Sequence, residues 1–252
     1  AAQGVTLAME ASVCGGIPIH AVLREGIAGD RVETLFGILN GTSNYILTEI
    51  EQHGSAFNDV LAEAQRLGYA EADPSADVDG FDARSKLLAL LASLAFGVRL
   101  APADIHTEGI RRISPTDFKY AGQLGCTIKL LCSARRDEAG LFVSVRPALL
   151  RNTTIMAGVH GAYNAVWARG AFGADTFYYG RGAGPNPTGV AVVSDLMRVA
   201  RELRPAPAHR VPPFAFTTLA ETKPLDIGLQ KRPWFLRFRI KDQPGIIRDL
   251  SS

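Results

Sequence analysis

Residues Gly68 to Lys86 read GYAEADPSADVDGFDARSK and run straight into LLALLASLAFGV, Leu87 to Val98. The first part carries Glu71, Asp73, Asp77 and Asp79. Pro74 and Gly80 interrupt it, so it forms a turn-rich acidic loop and no helix interior. Asp82 and Lys86 follow four apart, which puts both side chains on one helix face, one turn apart. The run from Leu87 to Val98 is apolar nearly all round, which predicts a buried helix. An isolated Asp-x-x-x-Lys pair is an exposed ion pair of small worth. At the mouth of a buried helix, desolvation disfavours the ammonium while the neighbouring carboxylate favours it. A lysine between those influences is a candidate general acid/base.

The chain has 252 residues, enough for one large or two modest domains with a real core. Hydrophobic residues make up 47% and charged residues 21%, the balance of an ordinary globular protein. A formal charge of +2 gives no electrostatic case for nucleic acid or a membrane surface as partner. Cys14, Cys126 and Cys132 have no CxxC spacing, so they suggest a reducing cytoplasm and no disulfide framework. No apolar run is long enough to span a bilayer, and AAQGVTLAME lacks the charge and hydropathy order of a signal peptide. Both ends read as cut within a longer protein. The histidines (His20, His53, His106, His160, His209) have no metal-ligand spacing.

In chain order, Val5 to Met9 reads as a strand. After Gly15, Gly16 and Pro18, a helix is expected from Ala21 to about Gly26. Arg31 to Leu39 is a strand. Thr42 or Ser43 caps a helix that stops near Gly54, and a second helix covers Ala56 to Leu67, ending at Gly68. Ser114-Pro115 opens a helix to about Gly125. Thr127 to Ser133 and Leu141 to Arg146 form a hairpin. Val159 to Ala168 and Thr176 to Tyr179 are further strands. Gly180-Arg-Gly-Ala-Gly-Pro-Asn-Pro then opens a helix from Thr188 to Leu203. Proline-rich residues 204–233 read as a linker or an extended wrapping arm. Trp234 to Ile240, WFLRFRI, alternates like a strand, and Asp242-Gln-Pro-Gly turns into IIRDL.

Glu71-Ala-Asp-Pro with Asp77, Gly80, Asp82 and Lys86 closely resembles the signature of the homoserine dehydrogenases. The resemblance implies that Lys86 and Asp82 are catalytic and that Glu71, Asp77 and Asp82 hold the amino acid substrate. Gly37-Ile-Leu-Asn-Gly-Thr-Ser-Asn-Tyr-Ile resembles the same family, which adds Gly41 and Thr42 as substrate contacts; a plain helix cap explains those polar residues equally well. Glu10-Ala-Ser-Val-Cys-Gly-Gly-Ile-Pro-Ile resembles its second signature. That implies a monovalent cation, sodium, held by Glu10 with the main-chain carbonyls of Val13, Gly15 and Ile17. Oxygen-only ligation suits such a cation. Gly182 and Gly184 match a glycine pair near the family's cofactor, NADP or NAD. Cys14, beside Gly15, reads as a small buried residue before a reactive thiol. FLRFRIKDQPGII resembles the start of an ACT domain, associated with threonine as effector; an ordinary edge strand competes with that reading.

The resemblance implies an α/β protein of α+β type, a mixed, mainly antiparallel sheet covered by helices with the active site at one sheet edge and the Rossmann half largely absent. Residues 1–203 are then the catalytic and substrate domain, 204–233 a linker and 234–252 the start of the ACT domain. The implied reaction interconverts L-homoserine and L-aspartate 4-semialdehyde in threonine, methionine and isoleucine synthesis, in a cytoplasmic homodimer or homotetramer. The 252 residues alone are expected to be inactive. Two alternatives stay open, a non-catalytic amino-acid sensor and a dimerisation module.

Overall fold

The computed structural model describes residues 6–88, 94–203, 220–240 and 246–251. Its helices are α1 (Ile19–Ala21), α2 (Gly41–His53), α3 (Phe57–Arg66), α4 (Ser75–Val78), α5 (Phe81–Leu87), α6 (Pro115–Gln123), α7 (Pro185–Glu202) and α8 (Ile246–Ser251). The strands are β1 (Val32–Ile38), β2 (Val98–Arg99), β3 (His106–Thr107), β4 (Cys126–Asp137), β5 (Gly140–Arg151), β6 (Tyr163–Gly170), β7 (Ala174–Arg181) and β8 (Ala220–Glu221). Six of them form one sheet in the order β3-β5-β4-β1-β6-β7, while β2 and β8 pair separately and in parallel. Within the large sheet only β3 and β5 run parallel. This is the mixed, mainly antiparallel sheet with covering helices that was expected.

Alternation explains the layering. Leu35, Ile128, Leu130 and Cys132 face the helices, where they meet Ile46, Leu47 and Ile50 of α2 and Ala83 and Leu87 of α5. Phe36, Ile38 and Leu131 point to the other face, under the turn Ile155–Gly158. Fully burying one such aliphatic side chain contributes about 1.5–3 kcal/mol, well above an exposed ion pair. The helix-facing core therefore holds the layers together, and surface charges only adjust them.

Several local expectations change. Residues 6–9 form no strand, and Val5 lies outside the described residues. The first helix begins at Ile19 and continues as a π-helical segment, Val22–Gly26. Asn40 caps α2, accepting a hydrogen bond from the Ser43 N–H at 2.7 Å, because the helix starts a residue before Thr42 and Ser43. The acidic loop holds one helical turn, α4, directly after Pro74. The α-helical part of the buried run ends at Leu87, and residues 89–93 lie outside the described residues. Leu94, Ala95 and Phe96 are buried as expected, and Gly97, at φ 64°, turns the chain into β2. Helix α6 carries a reciprocal cap between Ser114 and Asp117. Strand β6 begins at Tyr163, since Val159 follows the short turn, and α7 begins at Pro185, where a missing N–H costs nothing.

Residues 204–219 lie outside the described residues. Beyond them the chain runs along the sheet: Leu225 N–H donates to Leu141 O (2.8 Å) and Arg146 Nη2 to Gln230 Oε1 (2.8 Å). Trp234 to Ile240 pairs with no strand among the described residues. Its side chains anchor it instead, with the Arg146 guanidinium 4.6 Å from the Trp234 ring centre and Arg237 paired to Asp117 at 3.0 Å. The Asp242-Gln-Pro-Gly turn lies outside the described residues, and IIRDL is helical in α8. No helix among the described residues is long and apolar enough to cross a membrane.

Candidate functional site

The end of β1 meets the start of α5. Lys86 Nζ lies 2.7 Å from Asp82 Oδ2 and donates to the Leu39 carbonyl at 3.2 Å. The side chains of Lys86 and Asp82 are 25% and 31% exposed, so the pair sits at the core boundary and still reaches solvent. Asn40 is the hub. Its Nδ2 donates to Asp77 Oδ1 (2.6 Å) and to Asp82 Oδ2 (2.7 Å). One amide thus holds two carboxylates while its oxygen caps α2. Burial raises the Asp77 pKa; the Asn40 hydrogen bond opposes the rise and the Asp82 charge adds to it. Because β1 is an interior strand, the cluster stands at the end of the sheet's middle and not at a sheet edge.

The other expected substrate contacts surround this cluster. Thr42 already donates its hydroxyl to the Tyr69 carbonyl at 2.6 Å, tying α2 to the acidic loop. Gly41 approaches Ala162 so closely that a Cβ would lie 3.0 Å from its carbonyl oxygen. Glu71 is exposed, its carbonyl is held by Gln65, and its charge is felt by Asp77. Asn40 was not singled out from sequence. A lone asparagine before Gly-Thr-Ser reads as a turn, and only the fold brings Asp77 and Asp82 to it. Asn40→Ala should destabilise the chain by about 1–2 kcal/mol, through loss of the cap and of two donors to carboxylates. Asn40→Asp should recover the cap but place a third carboxylate against the other two. Denaturant titration of both variants checks this, and an Ala variant as stable as the parent would refute the hub.

Two glycine segments touch behind the cluster. Gly16 N–H donates to the Arg181 carbonyl at 2.9 Å, and a Cβ on Gly15 would lie 2.9 Å from Gly182 O. A Cβ on Gly182 would overlap Asn164 Oδ1, a buried oxygen with no hydrogen-bond partner among the described residues. Gly184, at φ 121°, immediately precedes α7. Glu10 accepts from the N–H groups of His20 (2.8 Å) and Ala21 (3.0 Å), closing the start of α1, and its own N–H donates to Asp195 Oδ2 of α7. Burial raises the Glu10 pKa, and burial with the Arg24 charge pushes His20 down to about 4. Cys14 is buried and its thiol is pushed up to about 12, chiefly by burial, so it stays protonated and unreactive. Asn164 and Asp195 also escaped sequence reading, for they join these segments only in three dimensions.

The donor set fits a monovalent cation in chemistry. Among the described residues no hydrogen bond ends on the carbonyls of Val13 or Gly15, and the Ile17 carbonyl accepts from Ile19 N–H; the Glu10 carboxylate, near them in the chain, accepts from the His20 and Ala21 N–H groups. Among the described residues no group of three or more His, Cys, Asp or Glu could hold a metal ion, so a site here depends on main-chain oxygens. The orphaned Asn164 oxygen beside Gly182 suits a polar cofactor edge.

Comparison with known proteins finds relatives over most of the chain. The profile of the family described as Homoserine dehydrogenase matches residues 18–197. Homoserine dehydrogenase of Pseudomonas aeruginosa is 44% identical over 99% of this chain and 58% of its own length. That of Bacillus subtilis is 40% identical over 99% of this chain and 57% of its own. The chain thus spans little more than half the length of these relatives. The crystal structure of the Thiobacillus denitrificans homoserine dehydrogenase superposes with a TM-score of 0.85 at 45% identity, covering 96% of this chain and 56% of that one. A hyperthermophilic archaeal homoserine dehydrogenase mutant in complex with NADPH superposes at 0.64 with 26% identity, covering 77% and 55%. With the family profile spanning its sheet, its acidic loop and most of α7, the chain belongs to the homoserine dehydrogenase family.

Proposed function

We propose that this chain is the substrate-holding and catalytic part of an oxidoreductase that interconverts L-homoserine and L-aspartate 4-semialdehyde. The observation that carries it is Lys86 Nζ held between Asp82 and the Leu39 carbonyl, beside Asp77. An ammonium has three donors. Two are occupied here, and the third is available to the substrate oxygen. Lys86 gives its proton to the aldehyde oxygen in one direction and takes the hydroxyl proton in the other. Asp82 orients it. Glu71 and Asp77 receive the substrate ammonium, with Gly41 and Thr42 lining the same side.

A nicotinamide cofactor, NADP or NAD, supplies or accepts the hydride when bound. Gly182, Gly184 and the start of α7 would hold it; the NADPH complex of the archaeal relative supports a nicotinamide as the cofactor. Glu10, Val13, Gly15 and Ile17 would hold sodium. Stacked aromatic side chains on the sheet face away from the helices, Phe36 on Trp167 and Tyr163 on Tyr179, support self-association as a homodimer or homotetramer. Residues 234–252 would begin an ACT domain through which threonine acts, and the protein would work in the cytoplasm, feeding threonine, methionine and isoleucine synthesis.

The test is homoserine oxidation, followed by absorbance of the reduced nicotinamide, in a chain extended to its relatives' full length beside residues 1–252. Activity is expected in the extended chain only. No activity with either nicotinamide, sodium or potassium being present, would overturn the proposal in favour of an amino-acid sensor.

A further inference from the structure

Helix α4 carries Asp77 and is only four residues long. A single turn has too few internal hydrogen bonds to hold itself, so its position must come from neighbours. One support is the Asn40 and Ser43 side of the cluster, where Ser43 Oγ donates to the Asp77 carbonyl at 2.9 Å. The opposite support is a short segment that sequence reading passed over, Glu108 to Arg111.

This segment is fixed at its start, where Glu108 N–H donates to Val145 O of β5 at 2.8 Å. Gly109 then runs directly along α4, and a Cβ there would lie 2.5 Å from Asp79 Cα and overlap the Val78 carbonyl. Ile110 is fully buried, and its N–H donates to Val78 O at 2.7 Å. Arg111 grips the end of α4 with two parallel bonds, Nε to Asp79 Oδ1 at 2.5 Å and Nη2 to Asp79 Oδ2 at 3.0 Å. Nη2 also approaches Ser75 Oγ, at 3.4 Å, at the first residue of the same turn. The guanidinium therefore spans α4 from first residue to C-cap, in the fork geometry that fixes direction as well as distance.

We propose that Arg111 is a positioning residue for substrate binding: by bracing α4 through Asp79 and Ser75, it sets where the Asp77 carboxylate stands. This rests on the proposed reading of Asp77 as a substrate ligand. The Arg111 side chain is 45% exposed and that of Asp79 30%, so the pair adds little to overall stability. Its effect is local and falls on the one turn that cannot hold itself.

The test uses the enzyme extended to its relatives' full length. Arg111→Ala should raise the KM for homoserine about tenfold with kcat changed less than about twofold, as for loss of binding shared by ground and transition states. Arg111→Lys should recover part of the KM, because it restores charge without the fork. Asp79→Asn should raise KM similarly, and the double variant should be no worse than either single one, the mark of a shared interaction. Amide exchange at Asp77, Val78 and Asp79 should quicken in Arg111→Ala with melting temperature unchanged. An unaltered KM and unaltered exchange in Arg111→Ala would overturn the proposal, as would additive single-variant effects. Absence of homoserine oxidation by the parent enzyme, together with quickened exchange, would sink the substrate reading and keep the brace.

Discussion

Lys86→Ala is expected to lower kcat by about 10²–10⁴-fold in the full-length enzyme, the range general acid/base help supplies. The lysine is bound at both known donors, by Asp82 at 2.7 Å and by the Leu39 carbonyl at 3.2 Å. It is therefore aimed before substrate arrives, and no ordering cost falls on the reacting step. Substrate affinity should change far less, because Glu71 and Asp77, proposed to receive the ammonium, remain. Lys86→Arg makes the sharper comparison. It keeps the charge and can pair with Asp82, yet a guanidinium does not release its proton at working pH. Turnover should fall nearly as far as in the alanine variant. Steady-state kinetics in both directions, with homoserine binding measured by calorimetry, separates the two effects. Near-normal turnover in Lys86→Arg would remove proton transfer from the role of Lys86 and leave only charge.

Replacing Lys129 by methionine should stabilise the protein at pH 7 by about 1–3 kcal/mol, since a buried charge exchanged for an apolar group of similar shape is often a gain. Lys129 lies on β4 opposite Ala148, fully buried, and its Nζ has no hydrogen-bond partner among the described residues. Among the described residues the titratable groups that face it are Glu51 of α2, whose Oε2 is also buried without a hydrogen-bond partner there, and His160, whose pKa burial and the lysine charge lower together. Burial pushes the lysine from 10.5 to about 8, and the Glu51 charge only partly offsets this. Below about 8 the native protein carries the full cost of the buried ammonium. As pH rises from there towards 10.5, the unfolded chain binds the proton more strongly than the native one, so unfolding becomes harder. The methionine variant should lack that rise. Urea titrations at pH 7, 9 and 10 read both effects, and a variant less stable than its parent at pH 7 would refute the account.

How much of this could be read from residues alone follows the range of the interactions. Asp82 and Lys86 are four apart on one helix, and that local spacing produced the pair found at the site. The hairpin of β4 and β5 and the proline-opened α6 were equally local. Asn40 was missed because its partners lie at positions 77 and 82, beyond any periodic rule. Lys129 sits in an apolar alternation whose outward face a strand normally gives to water; the fold buries it instead, and no nearby residue announces that. WFLRFRI has the alternation of a strand, yet alternation states only that a strand could form. Pairing needs a neighbour, and none is provided among the described residues.

The central place of β1 has a consequence for how the protein is made. On one side β1 pairs with β4, which begins at Cys126, and on the other with β6, which begins at Tyr163. A chain emerging from the ribosome therefore presents β1 early, with both edges unpaired and its alternating apolar residues uncovered. The contacts that close it are long-range ones, slow to form and open to misassociation while they wait. During synthesis α2 can cover one face, but one edge stays bare until β4 is out and the other until β6 is out. Leu39 and Asn40, which later hold Lys86 and Asp82, directly follow the strand that waits longest for its neighbours.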